Sequence, residues 1–159
     1  MTLGGIHFST GTDTWATPHA FYDRVNRRFR FNLDACASYS NTKCERFYTE
    51  ADDGLKKPWE TWTWCNPPYS NIINWYEKAY DEMVQGNSSV LLTFARTDTK
   101  AFHLYGARST EIVFVKGRLK FIDPATGTPG NPAPSPSMLV VFDASKKGEQ
   151  TYSTMDAKG

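Results

Sequence analysis

Two adjacent prolines cut across this chain at the end of an alternating aromatic run, "TWTWCNPPY" at 61–69. Neither proline has an N–H to give to a sheet ladder, so a strand cannot continue through them. Whatever sheet the protein builds, one strand must stop near Cys65 and turn. Pro67 fixes its own φ, and Pro68 holds Pro67 extended. The Pro67 carbonyl is then directed away from the strand, beside the side-chain oxygen of Asn66. Two acceptors aimed at one point suit a group that brings two donors, an NH2. Tyr69 adds a flat face on which a ring can stack.

The rest of the chain alternates strand and helix signals. Thr17-Pro18 predicts a helix start, with Thr as N-cap and Pro at the first helical position. The helix runs through "HAFYDRVNRRF" and buries Phe21, Val25 and Phe29. "FRFNLDACA" reads as a strand ending near Asp34, and "WTWC" as a second one. Ser70 is expected to cap a helix over "NIINWYEKAYDEMVQ" that Gly86 stops. "SSVLLTFA" is a buried strand, "TKAFHLYG" a brief helix and "TEIVFVKG" another strand. Five of the nine prolines fall between Pro124 and Pro136. Regular structure is excluded there, and "LKFI" and "SMLVVFD" on either side predict an elongated hairpin with a mobile tip.

This order gives an α/β class: a single-domain Rossmann-like, mostly parallel sheet with helices on both faces and an antiparallel C-terminal hairpin. The expected division is an irregular N-terminal arm at 1–14, the main domain at 15–145 with a Pro-rich candidate recognition loop at 123–137, and a polar, frayed tail at 146–159. At 159 residues the chain has room for one core. No run approaches the roughly 18 apolar residues of a membrane span. The first residues show no secretory pattern, and Cys36, Cys44 and Cys65 have no close pairing, so free thiols in a cytoplasmic setting are expected. The net charge of +1 does not advertise a polyanion partner. Locally, "RVNRRFR" and "KGRLK" are basic enough to meet phosphates, although the first reads equally well as a solvated helix face.

In parallel sheets ligands collect at the carboxyl ends of strands. Asp34 and the 66–69 turn both sit there, although an aspartate in that place also caps loops. The exocyclic amine of adenine would suit the paired acceptors. Its lone pair is delocalised, so it attacks poorly. Hydrogen bonds to its hydrogens draw the nitrogen toward pyramidal geometry and stabilise the charge that grows on it. The electrophile must then be strongly activated, as a sulfonium methyl is.

Six segments in consistent order extend this motif: "DTWATP" at 13–18, "LDACA" at 33–37, "DDGL" at 52–55, "WCNPPYSNIINW" at 64–75, "ARTDTKAFH" at 95–103 and "KGRLKF" at 116–121. Together they resemble the phage-type DNA N-6-adenine methyltransferase (Dam) family, whose members use S-adenosylmethionine. The resemblance implies that Asn66 and Pro67 accept from the target amine, that Pro68 stiffens the turn, and that Tyr69 stacks on the base. It implies that Asp34, Ala35 and Ala37 lie by the methionine part of the donor, with Asn66 nearby. Asp53 would accept from the donor's adenine, with Leu55 packed on it. Trp15, Thr17 and Pro18 would close the opposite side. "LDACAS" lacks the glycine-rich turn of many methyltransferases, and the acid for the ribose hydroxyls is open, with Glu45 one candidate.

The implied partner is double-stranded DNA with the target base extruded, in the cytoplasm of a host cell if the gene is a phage gene. Arg118 and Lys120, Arg96 and Ser70 are the candidate DNA contacts, and the Pro-rich loop is the candidate reader. An RNA-adenine or protein-glutamine methyltransferase would use the same turn. A non-catalytic nucleic-acid-binding module is the alternative from another class. No metal site is expected.

Overall fold

The computed structural model describes residues 15–146 and 148–159; the expected arm at 1–14 lies outside them. Helix α1 spans His19–Phe29. Strand β1 is Leu33–Asp34 and β2 is Thr63–Cys65. A 3-10 turn at Tyr69–Asn71 leads into α2, Ile72–Val84. Then come β3, Ser89–Phe94, the short α3, Lys100–Leu104, and β4, Glu111–Lys116. Strands β5, Ser137–Phe142, and β6, Thr151–Asp156, complete a sheet of order β1-β2-β3-β5-β4-β6.

Five strands point the same way. Only β5 is antiparallel, hydrogen-bonded to β3 on one side and β4 on the other. Strands β3 and β5 are buried along their whole length, which is why they read as continuous apolar runs rather than alternating ones. Successive side chains go to opposite faces. Trp64, Val90, Leu92, Val113 and Leu139 face α1, whose Phe21, Tyr22, Val25 and Phe29 cover them. Cys65, Leu91, Ile112, Met138 and Val140 face α2 and α3 through Trp75, Tyr76, Ala79 and Ala101. Both faces of the sheet are therefore covered by helix, and the strands are mostly parallel, as expected.

Four local expectations need correction. Thr17 does not cap α1: Pro18 holds the cap position with no side-chain cap bond, because the Thr17 hydroxyl is engaged elsewhere. Ser70 does not cap α2: it lies inside the 3-10 turn, and Asn71 precedes the helix. "LKFI" is not a strand of a hairpin. Within it only Ile122 makes bridges, to Ala16 and Pro129; Leu119 and Phe121 bury their side chains in the core and meet the returning chain through their carbonyls alone. The tail is not frayed: β6 pairs with β4 along six residues through main-chain bonds that need no apolar side chains.

The Pro-rich segment is a hydrogen-bonded strap rather than a mobile tip. Its outer end is a tight turn in which Asp123 receives the N–H of Ala125 on its carboxylate and that of Gly127 on its carbonyl, both at 2.8 Å. The return half is tied back by Gly130 N–H to Phe121 O (2.9 Å) and Ala133 N–H to Leu119 O (2.8 Å). Prolines remove donors only at their own positions, and the residues between them supply these bonds.

Two side-chain clamps fasten α1 to the far edge of the sheet. Arg28 forks onto both carboxylate oxygens of Glu111 on β4, and Ser153 of β6 donates to the same carboxylate at 2.8 Å. Arg24 donates to the carbonyl of Ala157 at 2.9 Å. Half of the arginine cluster that suggested phosphate contacts is thus spent on holding the C-terminal strand.

Candidate active site

A cavity of about 1090 Å³ opens at the carboxyl ends of β1 and β2. Its wall includes Trp15, Thr17, Asp34, Ala35, Ala37, Asp53, Leu55 and Asn66. These are all but one of the residues expected to hold a donor. The exception, Pro18, is not part of the wall; its carbonyl receives the N–H of Tyr22 in the first turn of α1.

The chain reaches this arrangement because β1 and β2 run parallel and both stop at the same level. Leu33 pairs with Thr63 and Asp34 with Trp64, so the residues after each strand enter the same space. Ala35 donates its N–H to the Trp64 carbonyl at 2.9 Å and keeps the first turn after β1 against β2. The 52–55 segment closes over it at very short range. A Cβ on Gly54 would stand 2.2 Å from the Ala35 carbonyl oxygen, so only glycine fits there. The Gly54 carbonyl in turn accepts from the Trp59 indole at 2.9 Å.

Asp34 is 3% exposed and holds the loop that follows β1. Its carboxylate accepts the backbone N–H of Lys43 at 3.0 Å and, more weakly, that of Cys36 at 3.4 Å. Burial pushes its pKa up to about 7, against the opposing pull of those two N–H groups and the Lys43 charge. The same burial pushes the Lys43 ammonium down, partly countered by Asp34 and Asp23. Loop cap and cavity wall are thus both true of Asp34. Asp53 serves its own turn too: it sits at φ 59°, and its carboxylate accepts the Leu55 N–H at 3.1 Å. Aspartate tolerates the left-handed region because its short polar side chain bonds locally.

Asn66 is held from the opposite wall. Its Nδ2 donates to Thr17 Oγ1 at 3.0 Å and reaches the Trp15 carbonyl at 3.4 Å. A carbonyl can only accept, so the NH2 end of the amide must face the 15–17 segment. The accepting end, Oδ1, is thereby the opposite one. Thr17 is 2% exposed, which makes it a rigid partner.

Pro68 lines the cavity, whereas Pro67 is buried behind it. Tyr69 is not part of the wall. Its ring stacks on Phe94 at the end of β3, with centroids 4.3 Å apart and planes 15° from parallel. Phe94 also carries the Arg96 guanidinium at 5.0 Å from its ring centre. Arg96 is exposed and donates to Ser135 of the strap at 3.4 Å. Arg118 donates to the Ala133 carbonyl at 3.0 Å, and so fastens the strap as well as carrying charge. Lys120 is exposed, and Ser70 is an exposed part of the cavity rim.

Several wall residues were not legible as such. Trp64 and Trp75 are core residues, and each also lines the cavity. Glu50 contributes to the wall and Glu45 does not. Tyr39, 85% exposed, stands at the rim against Phe47. Pro124 of the strap reaches the wall from the other side, which nothing in its local sequence announced. Among the described residues no cluster of His, Cys, Asp or Glu is arranged to hold a metal ion.

The fold and the cavity together define a mixed α/β protein with a cavity at the carboxyl ends of two of its parallel strands, faced by a hydrogen-bonded side-chain amide. Residues 8–158 match the family described as DNA N-6-adenine-methyltransferase (Dam). The DNA N-6-adenine-methyltransferase of Haemophilus phage HP1 (strain HP1c1) is 33% identical over 136 residues, covering 82% of this chain and 79% of that protein. That of Escherichia phage T1 is 29% identical over 155 residues, covering 86% of this chain and 65% of that protein. The chain belongs to the DNA N-6-adenine-methyltransferase (Dam) family.

Proposed function

We propose that this protein is an adenine-specific DNA methyltransferase that binds S-adenosylmethionine in the cavity and methylates the N6 amine of an adenine swung out of double-stranded DNA. The observation that carries the reading is the amide of Asn66. Its donor end is tied to Thr17 and Trp15, so its acceptor end is set before any substrate arrives. An acceptor held in advance needs no reorganisation as positive charge develops on the attacking nitrogen.

The wall suits the donor. It offers carboxyl groups at Asp34 and Asp53, small side chains at Ala35 and Ala37, and the partly exposed indole of Trp15. Carboxylates match an ammonium or an adenine amine, and indole faces attract a cation. The bound donor would supply a methyl group on positively charged sulfur. Asn66 and the Pro67 carbonyl would orient the amine, and the stiff Pro67-Pro68 turn would keep them from relaxing away. Tyr69, backed by Phe94, would present its other face to the extruded base, which recovers about 1–3 kcal/mol of lost stacking. The strap, with Arg96, Arg118 and Lys120 along it, is the surface on which we place the duplex.

The deciding experiment incubates the protein with methyl-labelled donor and, separately, duplex DNA, RNA and protein. Label recovered as N6-methyladenine in duplex DNA, lost in Asn66→Ala while that variant still binds donor, is the expected result. Label confined to RNA or to glutamine side chains would replace the substrate assignment. Undiminished turnover in Asn66→Ala would remove the amine-acceptor role.

A further inference from the structure

The segment 15–17 touches two parts of the molecule at once. Inward, the Trp15 carbonyl and the Thr17 hydroxyl receive the Asn66 amide. Outward, Ala16 exchanges both main-chain bonds with Ile122, at 3.0 and 2.8 Å, at the start of the Pro-rich strap. The Trp15 ring lies against Gly130 in the strap's return half. A Cβ built on Gly130 would fall 2.2 Å from Trp15 Cζ3 and 2.5 Å from Cη2.

Gly130 has no conformational need to be glycine, since its φ lies outside the left-handed region. The turn that needs such a φ is made by Gly127, at +70°. Gly130 is also tied down, donating its N–H to the Phe121 carbonyl at 2.9 Å, so it cannot easily retreat from the indole. The indole is a large rigid group and cannot fold away as a flexible chain end does. What the position demands is the absence of a side chain, as a seat for Trp15.

We propose that Gly130 is a positioning residue: by seating the Trp15 indole it holds the 15–17 segment at the level that orients the Asn66 amide. The proposal rests on the reading of Asn66 as the amine acceptor and extends it to the strap. The strap and the transfer site are then one mechanical unit, joined through Trp15.

The test is a double-mutant cycle of Gly130→Ala and Trp15→Leu, read in two ways. The first readout is the side-chain NH2 resonance of Asn66, assigned by its loss in Asn66→Ala. The second is S-adenosylmethionine affinity by calorimetry. Gly130→Ala should shift the Asn66 resonance and, by displacing the Trp15 part of the wall, weaken donor binding by about 10-fold, the equivalent of roughly one hydrogen bond. In the Trp15→Leu background the same change should do neither, because the shorter side chain leaves room for the Cβ. If the parent binds no donor but the resonance moves, the positioning role stands and the donor assignment falls. An unmoved resonance in Gly130→Ala overturns the proposal, whatever the affinity. Should Gly130→Ala alone fail to fold, the double variant must fold as Trp15→Leu does; a double variant that also fails would overturn it.

Discussion

Asn66 and Thr17, 49 residues apart in sequence, are joined by a single hydrogen bond of 3.0 Å from Nδ2 to Oγ1. This bond links the end of β2 to the entrance of α1 and, beside the Trp15 carbonyl that can only accept, holds the NH2 end of the Asn66 amide toward residues 15–17. Replacing Thr17 by Val keeps its shape and removes the acceptor. We expect turnover to fall by about 10-fold, the worth of roughly one hydrogen bond, while Thr17→Ser stays near the parent. Steady-state kinetics on duplex DNA checks this, and a Val variant with parental turnover would deny the bond any role.

Asp34 makes stability depend on pH in an unusual direction. Its folded pKa is raised to about 7, so between roughly pH 4 and 7 the folded state keeps a proton that the unfolded chain has released. Stability from this group therefore falls as pH rises through that window, by up to about 1.4 kcal/mol per unit. Asp34→Asn removes the titration. Thermal midpoints from pH 5 to 8 should decline in the parent and stay flatter in the variant. Parallel profiles would show that Asp34 is ionised throughout.

Phe94 lies under Tyr69. Phe94→Leu keeps an apolar group there but loses the aromatic stack, worth about 0.5–1.5 kcal/mol. The Michaelis constant for DNA should rise several-fold while donor affinity holds. Equal losses in both would mean that the substitution disturbs the whole cavity rather than the Tyr69 platform.

Arg28→Gln leaves the Glu111 carboxylate, 7% exposed, with a much weaker partner. Burial pushes the Glu111 pKa up, but the Arg28 and Ser153 hydrogen bonds and nearby positive charges outweigh it and hold it below the ordinary value. Glu111 thus contributes stability above its unfolded pKa, lost as pH falls through the folded one. The variant should lose about 1–3 kcal/mol at neutral pH. The gap to the parent should narrow only at more acid pH, below the ordinary carboxylate range, where the carboxyl becomes neutral in both. Urea unfolding at the two pH values measures it.

The parts of this fold that could be read in sequence are those where a local pattern and its tertiary use agree. Phe21, Val25 and Phe29 recur at helical spacing and do face the sheet, and the apolar runs of β3 and β5 are central strands. Thr17 misleads because Thr-Pro has a sound local meaning, while its actual partner lies in a different element. β6 was invisible because "TYSTMD" has little apolar content; its pairing with β4 uses the main chain, which every sequence possesses. The cavity residues were legible where a strand end announced them, as at Asp34 and Asn66. Trp64, Gly54 and Pro124 were not, because what brings them to the wall is strand order and close packing, neither of which leaves a local mark.

Strand β5 fills the slot between β3 and β4, although it follows both along the chain. During synthesis those two strands therefore emerge from the ribosome as non-neighbours, each with an open edge toward the vacant slot. The sheet cannot join β3 to β4 until residues 137–142 have cleared the exit tunnel and threaded back, and the outer edge of β4 stays open until residues 151–156 follow. The nascent chain up to that point carries exposed, sticky strand edges, and chaperone demand should be concentrated in that interval.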